Sequence, residues 1–435
     1  MTFKKNARTK READLLETCG RVLPVGVRNA SYNPDYMMVI EKAQGARITD
    51  CSGNEYIDYL LGSGPMFLGH AHPAVVKAAE EQLRNGTSYL MTSEAAIELA
   101  DEIVKAVPCA DNVSFHNSGS EATFFAMRVA RAFRKRDKVL KFEGGYHGMG
   151  DSALMSTQWT QKPLEFPSAH ADSSGIPASV REETLIAPFN NLEVTTSIIE
   201  QNAEELACVI VEPLNRTIPP APGFLEGLRE VTAQLGIPLI FDEVVTGFRL
   251  AFGGAQEYYG VTPDLCALGK TISGGHPFGV LCGKEEIMEM ASPMRILKGD
   301  WARLSGTFSG NPVSCRAALA IINELKKPGF YEAVEKRGLK LRTGLENALS
   351  NAGLSAQVLG ERTVFQPWFT DASIVDHRSS LAASAGTNLK FIDKLLDRGI
   401  VKGHEKFFVS AAHTDEDIDY TIEAIESATM EMAEG

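Results

Sequence analysis

Two stretches decide the fold: PLIFDEVVTGFR, residues 238–249, and PDLCALGKTISGG, residues 263–275. The first is a short apolar run ending on two carboxylates, and its length and flanking Pro238 favour a buried strand over a helix. Such a strand delivers Asp242 to its C-terminal end, the edge where α/β sheets hold their sites. The second carries Lys270 out of an apolar run into a Gly-rich loop, poor surroundings for a solvated charge. A lysine in such a pocket can lose its proton and become a Schiff-base nucleophile. Taken singly, each residue has a plainer reading, Asp242 as a helix cap and Lys270 as a surface charge.

Outward from these stretches, short apolar runs alternate with helical spacing. Val139–Phe142, Cys208–Val211 and Val280–Gly283 read as strands; Ala74–Leu83, Glu94–Val107, Glu121–Arg134, Leu192–Ala203 and Phe224–Leu235 read as helices. That alternation predicts an α/β domain with a mostly parallel sheet. From about Asn311 the pattern turns to long helices, Val313–Leu325 and Tyr331–Leu349, then a mixed tail with a helix from Asp415. The expected division is an N-terminal segment, 1–60, that joins a small α+β domain at 313–435, with the large α/β domain at 61–312. The stretch Met155–Glu183 has no period and is expected to be a lid or a disordered loop.

The chain has 435 residues, with 43 Lys+Arg against 56 Asp+Glu, a net charge of −13. This excludes nucleic-acid binding through a broad positive field. The cysteine count of 7 is odd and no CxxC pair occurs, so a reduced, cytoplasmic setting is expected. No apolar run approaches the roughly 18 residues of a membrane span. The basic N-terminus lacks a following apolar segment and reads as a frayed arm rather than a secretory signal. His70 and His72 lack companion ligands at metal-binding spacing, and no metal is expected.

Three segments suggest phosphate chemistry. Gly269-Lys270-Thr271 ends like a P-loop, but the position needing the first glycine is Asp264, which would repel a phosphate. Gly148-Met-Gly150-Asp-Ser-Ala153 matches a dinucleotide fingerprint in form but is followed by the aperiodic stretch instead of a helix. Asn117-Ser118-Gly119-Ser120-Glu121-Ala122 opens a helical run. It reads either as an anion site at a helix start or as a capping box of Ser118 with Glu121. An Asp, a Lys, a phosphate-binding helix start and an aromatic ring, Tyr146, together form the kit for pyridoxal phosphate.

At this point the chain resembles the class III aminotransferases of fold type I, and within them the glutamate-1-semialdehyde aminomutase branch. The resemblance rests on Gly-His70-Ala-His72-Pro, Asn117-Ser-Gly-Ser-Glu-Ala, Lys141-Phe-Glu-Gly-Gly-Tyr146-His147-Gly and Val211-Glu212-Pro213. Further blocks are Phe241-Asp-Glu-Val-Val-Thr-Gly-Phe-Arg249, Leu268-Gly-Lys270, Gly306-Thr307-Phe-Ser-Gly-Asn-Pro312 and His413-Thr-Asp-Glu-Asp-Ile-Asp419. It implies a fold-type I α/β subunit that binds pyridoxal 5'-phosphate. Lys270 would form the Schiff base with the cofactor and shuttle a proton, and Asp242 would pair with the pyridine nitrogen. Val244 would pack beneath the ring, Tyr146 would stack above it, and His147 and Glu212 would lie beside it. Ser118, Gly119 and Ser120 would hold the phosphate. Thr307 would reach the phosphate of a partner subunit's cofactor, which implies a homodimer with shared sites.

For the substrate, Arg28 falls where the branch places its carboxylate-binding arginine, and Ser63 and Glu405 belong to the same pocket. Ser63 stands where the aminomutase pattern has tryptophan, the Glu212–Ile218 stretch is shorter, and the lid text differs. A mutase must keep its intermediate enclosed between two half-reactions, so lid and pocket are what it can least vary. The expected activity is therefore ping-pong amino transfer between a carboxylate-bearing amine, β-amino acids included, and a keto acid. The aminomutase is the alternative, followed by a non-catalytic binding protein on the same fold.

Overall fold

The computed structural model describes residues 3, 5–23, 31, 33–158 and 162–434. They form two compact units, one spanning Ala74–Lys327 with Ile374–Leu381, the other Met1–Pro73, Pro328–Ser373 and Ala382–Gly435.

The larger unit holds a seven-stranded sheet. Its strands are β1 (Asn112–His116), β2 (Lys138–Phe142), β3 (Thr184–Ala187), β4 (Leu206–Val211), β5 (Leu239–Glu243), β6 (Leu265–Leu268) and β7 (Gly279–Gly283), in the order β1-β7-β6-β5-β4-β2-β3. β7 pairs antiparallel with both neighbours, and every other pair is parallel. The middle strand is β5, the one that the opening apolar run anticipates. It extends beyond that run through Asp242 and Glu243 and is buried along its whole length. Strands covered on both faces read as continuous apolar runs, which is why β4, LACVIV, shows no alternation.

α2 (Gly119–Arg134), α3 (Leu192–Gln201) and α4 (Phe224–Gln234) lie between successive strands, while α1 (Glu94–Ala106) precedes β1 and α5 (Pro312–Leu325) follows β7. α2 starts at Ser118, whose Oγ accepts the Glu121 N–H at 3.1 Å, and ends among Arg131 and Arg134, which complement the helix dipole. Its buried stripe, Phe125, Ala126, Val129 and Ala130, packs on Val139, Cys208, Ile210, Ile240, Leu265 and Leu281 of the sheet. Full burial of each larger side chain contributes about 1.5–3 kcal/mol.

The described residues of the aperiodic stretch pair across it. Met155 bridges Ala171 and Asp172 N donates to Leu154 O at 3.0 Å. Met155, Ala169 and Ile186 form a small core with Phe166, Ala171, Ile176 and Val180 against it. Its apolar residues meet across a fold of the chain and not along one helix face, so no period registers in the sequence.

The second unit has a four-stranded sheet of Ile40–Gln44, Arg47–Asp50, Glu55–Asp58 and Ile400–Val401, so one sheet takes strands from distant parts of the chain. A three-stranded sheet, Gln357–Glu361, Val364–Trp368 and Phe407–Phe408, accompanies the helices Phe330–Asn351, Ala385–Leu396 and Asp415–Glu434. Within it Tyr59 stacks on the buried His413 ring at 4.3 Å. Among the described residues no helix is long and apolar enough to cross a membrane. All seven cysteines are free.

Candidate active site

The site is assembled at the C-terminal ends of β2, β4 and β5. Asp242 is buried there, with Oδ2 at 2.8 Å from His147 Nδ1 and Oδ1 accepting the Val244 N–H at 3.1 Å. The next carboxylate does different work. Glu243 is fully buried and accepts from Thr246 Oγ1 (3.0 Å), the Ala255 N–H (2.5 Å) and Gln256 Nε2 (3.0 Å). Burial pushes its carboxyl up to about 7 in spite of those donors. Strand alternation separates the two acids, one facing the site and one pinning the loop beyond it.

Val244 joins the two stretches that opened the sequence reading to the start of α2. A Cβ on Gly119 would lie 2.8 Å from both Val244 Cγ atoms, and one on Gly269 would lie 3.3 Å from Val244 Cγ1. The helix start, Val244 and the residue before Lys270 are therefore in mutual contact. Lys270 itself is half-buried and begins a 3₁₀ turn with φ of 38°, a left-handed conformation that a lysine adopts only under constraint.

At the α2 start both readings of the sequence have a counterpart. Ser118 caps the helix, while Glu121 turns back to the backbone and side-chain nitrogens of Asn117 at 2.8 and 3.1 Å. Gly119 and Ser120 occupy the first turn, where N–H groups have no intrahelical acceptor. Gly148 packs on Ser120, since a Cβ there would come within 2.5 Å of Ser120 Oγ. The fingerprint glycine thus serves close packing at the helix start. Thr123 Oγ1 donates to His147 O at 2.6 Å and ties α2 to the loop after β2.

That loop carries Tyr146, which is 37% exposed and whose N–H donates to Glu212 Oε2 at 3.2 Å. Below it lies Lys141, which sequence reasoning passed over inside an apolar strand. Its fully buried Nζ donates to the carbonyls of Gly145, Ala153 and Met155 at 2.8, 2.9 and 2.5 Å. Desolvation pushes the ammonium down to about 7. Two further residues were missed. Arg216 places its guanidinium 5.7 Å from the Tyr146 ring centre. Arg378 binds Glu143 through Nε and Nη2 at 2.8 and 3.2 Å. The signals were present but weak, charged residues inside or beside apolar text.

Thr307 is exposed in a turn whose Gly306 approaches Asn117. Ser63, exposed at φ of 70°, and the half-buried Glu405 belong to the second unit. Arg28 lies outside the described residues. His70 Nε2 is 2.8 Å from Asp58 Oδ2, a structural contact. Among the described residues no group of three or more His, Cys, Asp or Glu side chains is placed to hold a metal.

The residues present fit an aromatic cofactor that bears a phosphate. Gly119 and Gly148 keep the helix start free of Cβ atoms that would clash. Asp242 has its carboxylate fixed from two sides, and half-buried Lys270 follows the glycine that touches Val244.

A family model described as aminotransferase class-III matches residues 29–429. The chain is 40% identical over 423 residues to a glutamate-1-semialdehyde 2,1-aminomutase of Methanosphaera stadtmanae, covering 95% of this chain and 97% of that protein. Among solved structures it is similar to an omega-transaminase from Sphaerobacter thermophilus, with a TM-score of 0.91, 35% identity and 98% of both chains covered. A transaminase with PLP bound matches at a TM-score of 0.89 and 29% identity, over 99% of this chain and 100% of that one.

Proposed function

The chain belongs to the class-III aminotransferase family and uses pyridoxal phosphate, and from that premise we propose that it moves an amino group between adjacent carbons of one carboxylate-bearing substrate. This is the glutamate-1-semialdehyde 2,1-aminomutase reaction. The observation that carries it is the 40% identity, across 95% of the chain, to a protein of that name. It ranks first the reaction that the pocket departures alone rank second. Intermolecular transfer to a keto acid remains the second reading, supported by Ser63 in place of tryptophan and by the 35% identity to an omega-transaminase.

When bound, pyridoxal phosphate supplies an electron-withdrawing ring that lets an amine lose the proton on its adjacent carbon. The protein's part is positioning and proton transfer. Asp242, oriented by His147 and the Val244 N–H, would hold a proton at the ring nitrogen. The first-turn N–H groups of Gly119 and Ser120, with their dipole, would receive the phosphate. Val244 and Tyr146 would hold the ring, with the Tyr146 backbone fixed by Glu212. Lys270 Nζ would carry the proton between the substrate carbon and the cofactor. Exposed Thr307 completes the phosphate site of a second subunit, so a homodimer is the working unit.

Glutamate 1-semialdehyde is the discriminating substrate. Conversion to 5-amino-4-oxopentanoate with no acceptor present, and no transfer of labelled nitrogen when pyruvate is added in a second run, is the expected result. Exchange with pyruvate and no internal product gives the second reading. A wild type without the visible absorbance of bound cofactor, the band that Lys270→Ala should abolish, would sink both.

A further inference from the structure

We infer that Arg216 is a carboxylate-binding, specificity-determining residue of this site, an inference that rests on the amino-transfer reading above. The backbone gives the first reason. Asn215 and Ile218 exchange N–H···O bonds of 3.1 and 2.9 Å, which closes a two-residue turn around Arg216 and Thr217. Arg216 stands at the first central position with φ of 63°. Turns of that geometry select Gly, Asn or Asp, because a Cβ is disfavoured there. An arginine held in that conformation is kept for its side chain and not for the turn.

The second reason is where the side chain goes. The turn follows β4 and Glu212, at the sheet edge that carries Asp242. From there the guanidinium lies 5.7 Å from the centre of the Tyr146 ring. Tyr146 precedes His147, which is bonded to Asp242, and its own N–H is bonded to Glu212. Arg216 is thus fixed beside the partly exposed aromatic face next to the reacting centre, and is itself half-buried. Partial burial strengthens a charge-assisted bond, and the planar fork matches a carboxylate in two-point contact.

Burial first and Arg216 after it disfavour the charged forms of the nearby Lys141 and His377, while Asp172, Glu212 and Asp242 act in the opposite sense on Lys141 and Glu143 and Asp376 on His377, so the guanidinium stands close to both buried groups. The substrate class is an amine or aminoaldehyde with a carboxylate a few carbons from the reacting carbon.

The test uses holoenzyme and glutarate, a five-carbon dicarboxylate that cannot react. Arg216→Gly removes the guanidinium while suiting the turn, so its urea midpoint should equal or exceed that of the wild type. Calorimetry should show glutarate binding weakened roughly 30-fold, within the range for a lost bond to a charged group. Arg216→Lys should fall between, since a lysine cannot make the two-point contact. In the half-reaction, read as the change in cofactor absorbance, KM for a carboxylate-bearing amine should rise with kcat nearly unchanged. The rate with an amine that has no carboxylate, such as benzylamine, should hold. Glutarate affinity within twofold of wild type in Arg216→Gly, or equal losses with amines that do and do not bear a carboxylate, overturns the inference. A wild type that reacts with no amine overturns the functional reading instead, and the glutarate comparison still judges Arg216.

Discussion

His147 Nδ1 stands 2.8 Å from Asp242 Oδ2 with both side chains buried, so the loop after β2 aims the carboxylate that ends β5. An ionised carboxylate only accepts, so the His147 Nδ1–H is the donor in this contact. Nε2 is itself buried without a hydrogen-bond partner among the described residues. Asp242→Ala would strand the His147 N–H, and a buried unsatisfied donor costs about 1–3 kcal/mol. Urea denaturation should show that loss. Turnover should fall about 100-fold or more, as expected when a positioned proton-holding group is removed. A variant with wild-type turnover would remove Asp242 from the chemistry.

The contact between Gly119 and Val244 gives a sharper steric test. A Cβ at residue 119 would lie 2.8 Å from two branches of a side chain that is stiff about χ1. Gly119→Ala should therefore shift the start of α2, cost about 1–3 kcal/mol as overpacking does, and weaken cofactor binding. The double variant Gly119→Ala with Val244→Ala should recover much of both losses. Cofactor affinity by spectral titration, run as a double-mutant cycle, measures the coupling. Additive losses would mean that the two residues do not meet.

Lys141 supplies a pH dependence with a definite sign. Burial lowers its folded pKa to about 7, from 10.5 in the unfolded chain. Below the folded value the lysine is charged in both states and the desolvation cost of the charged form is fully present. As pH rises from about 7 toward 10.5 the unfolded chain binds more protons, so stability rises. Lys141→Met should be less stable than wild type because three carbonyls lose their donor. The gap should widen between pH 7 and pH 9 in urea denaturation, since Lys402, also pushed down to about 7, is common to both proteins and cancels. A gap that stays constant or narrows over that range would show that the folded protein holds the Lys141 proton.

These residues also mark how far the sequence could be read. The strands were legible because burial on both faces leaves unbroken apolar runs such as Leu206–Val211, and the helices because their buried faces recur at helical spacing. The end of β5 was less so. Asp242 and Glu243 do end the strand, but nothing local shows that Glu243 is carried to depth, where Thr246, Ala255 and Gln256 satisfy it. Asp242 and Lys270 stand out by their surroundings, one a carboxylate at the end of an apolar strand and the other a lysine carried into a Gly-rich loop. Lys141 and Arg216 gave only a charge in an odd place, since their partners come from loops whose approach no local pattern encodes. The contacts of residues 155–158 and 162–183 were hidden for the same reason, because they form across the stretch.

Arg378 holds that stretch in place. Its guanidinium binds Glu143 through two nitrogens, donates to Leu164 O at 2.5 Å, and lies 3.8 Å from the centre of the Phe166 ring. Glu143 is buried beside the loop that carries Tyr146, so one side chain joins the site to the segment that covers residues 162–172. Two-point carboxylate contact and stacking on an aromatic face are both specific to arginine. Arg378→Lys should lose most of the anchoring, and Arg378→Met should lose it all while leaving Glu143 buried and unpaired. The exposed parts of residues 162–183 should then open more often and be cut faster by a protease. Limited proteolysis should show cleavage there accelerated about 5-fold or more in Arg378→Met, a shift of roughly 1 kcal/mol in the opening equilibrium. KM should rise in parallel if this segment covers bound substrate. Unchanged cleavage would mean that the small core around Met155 and Ile186 is enough to hold the segment closed.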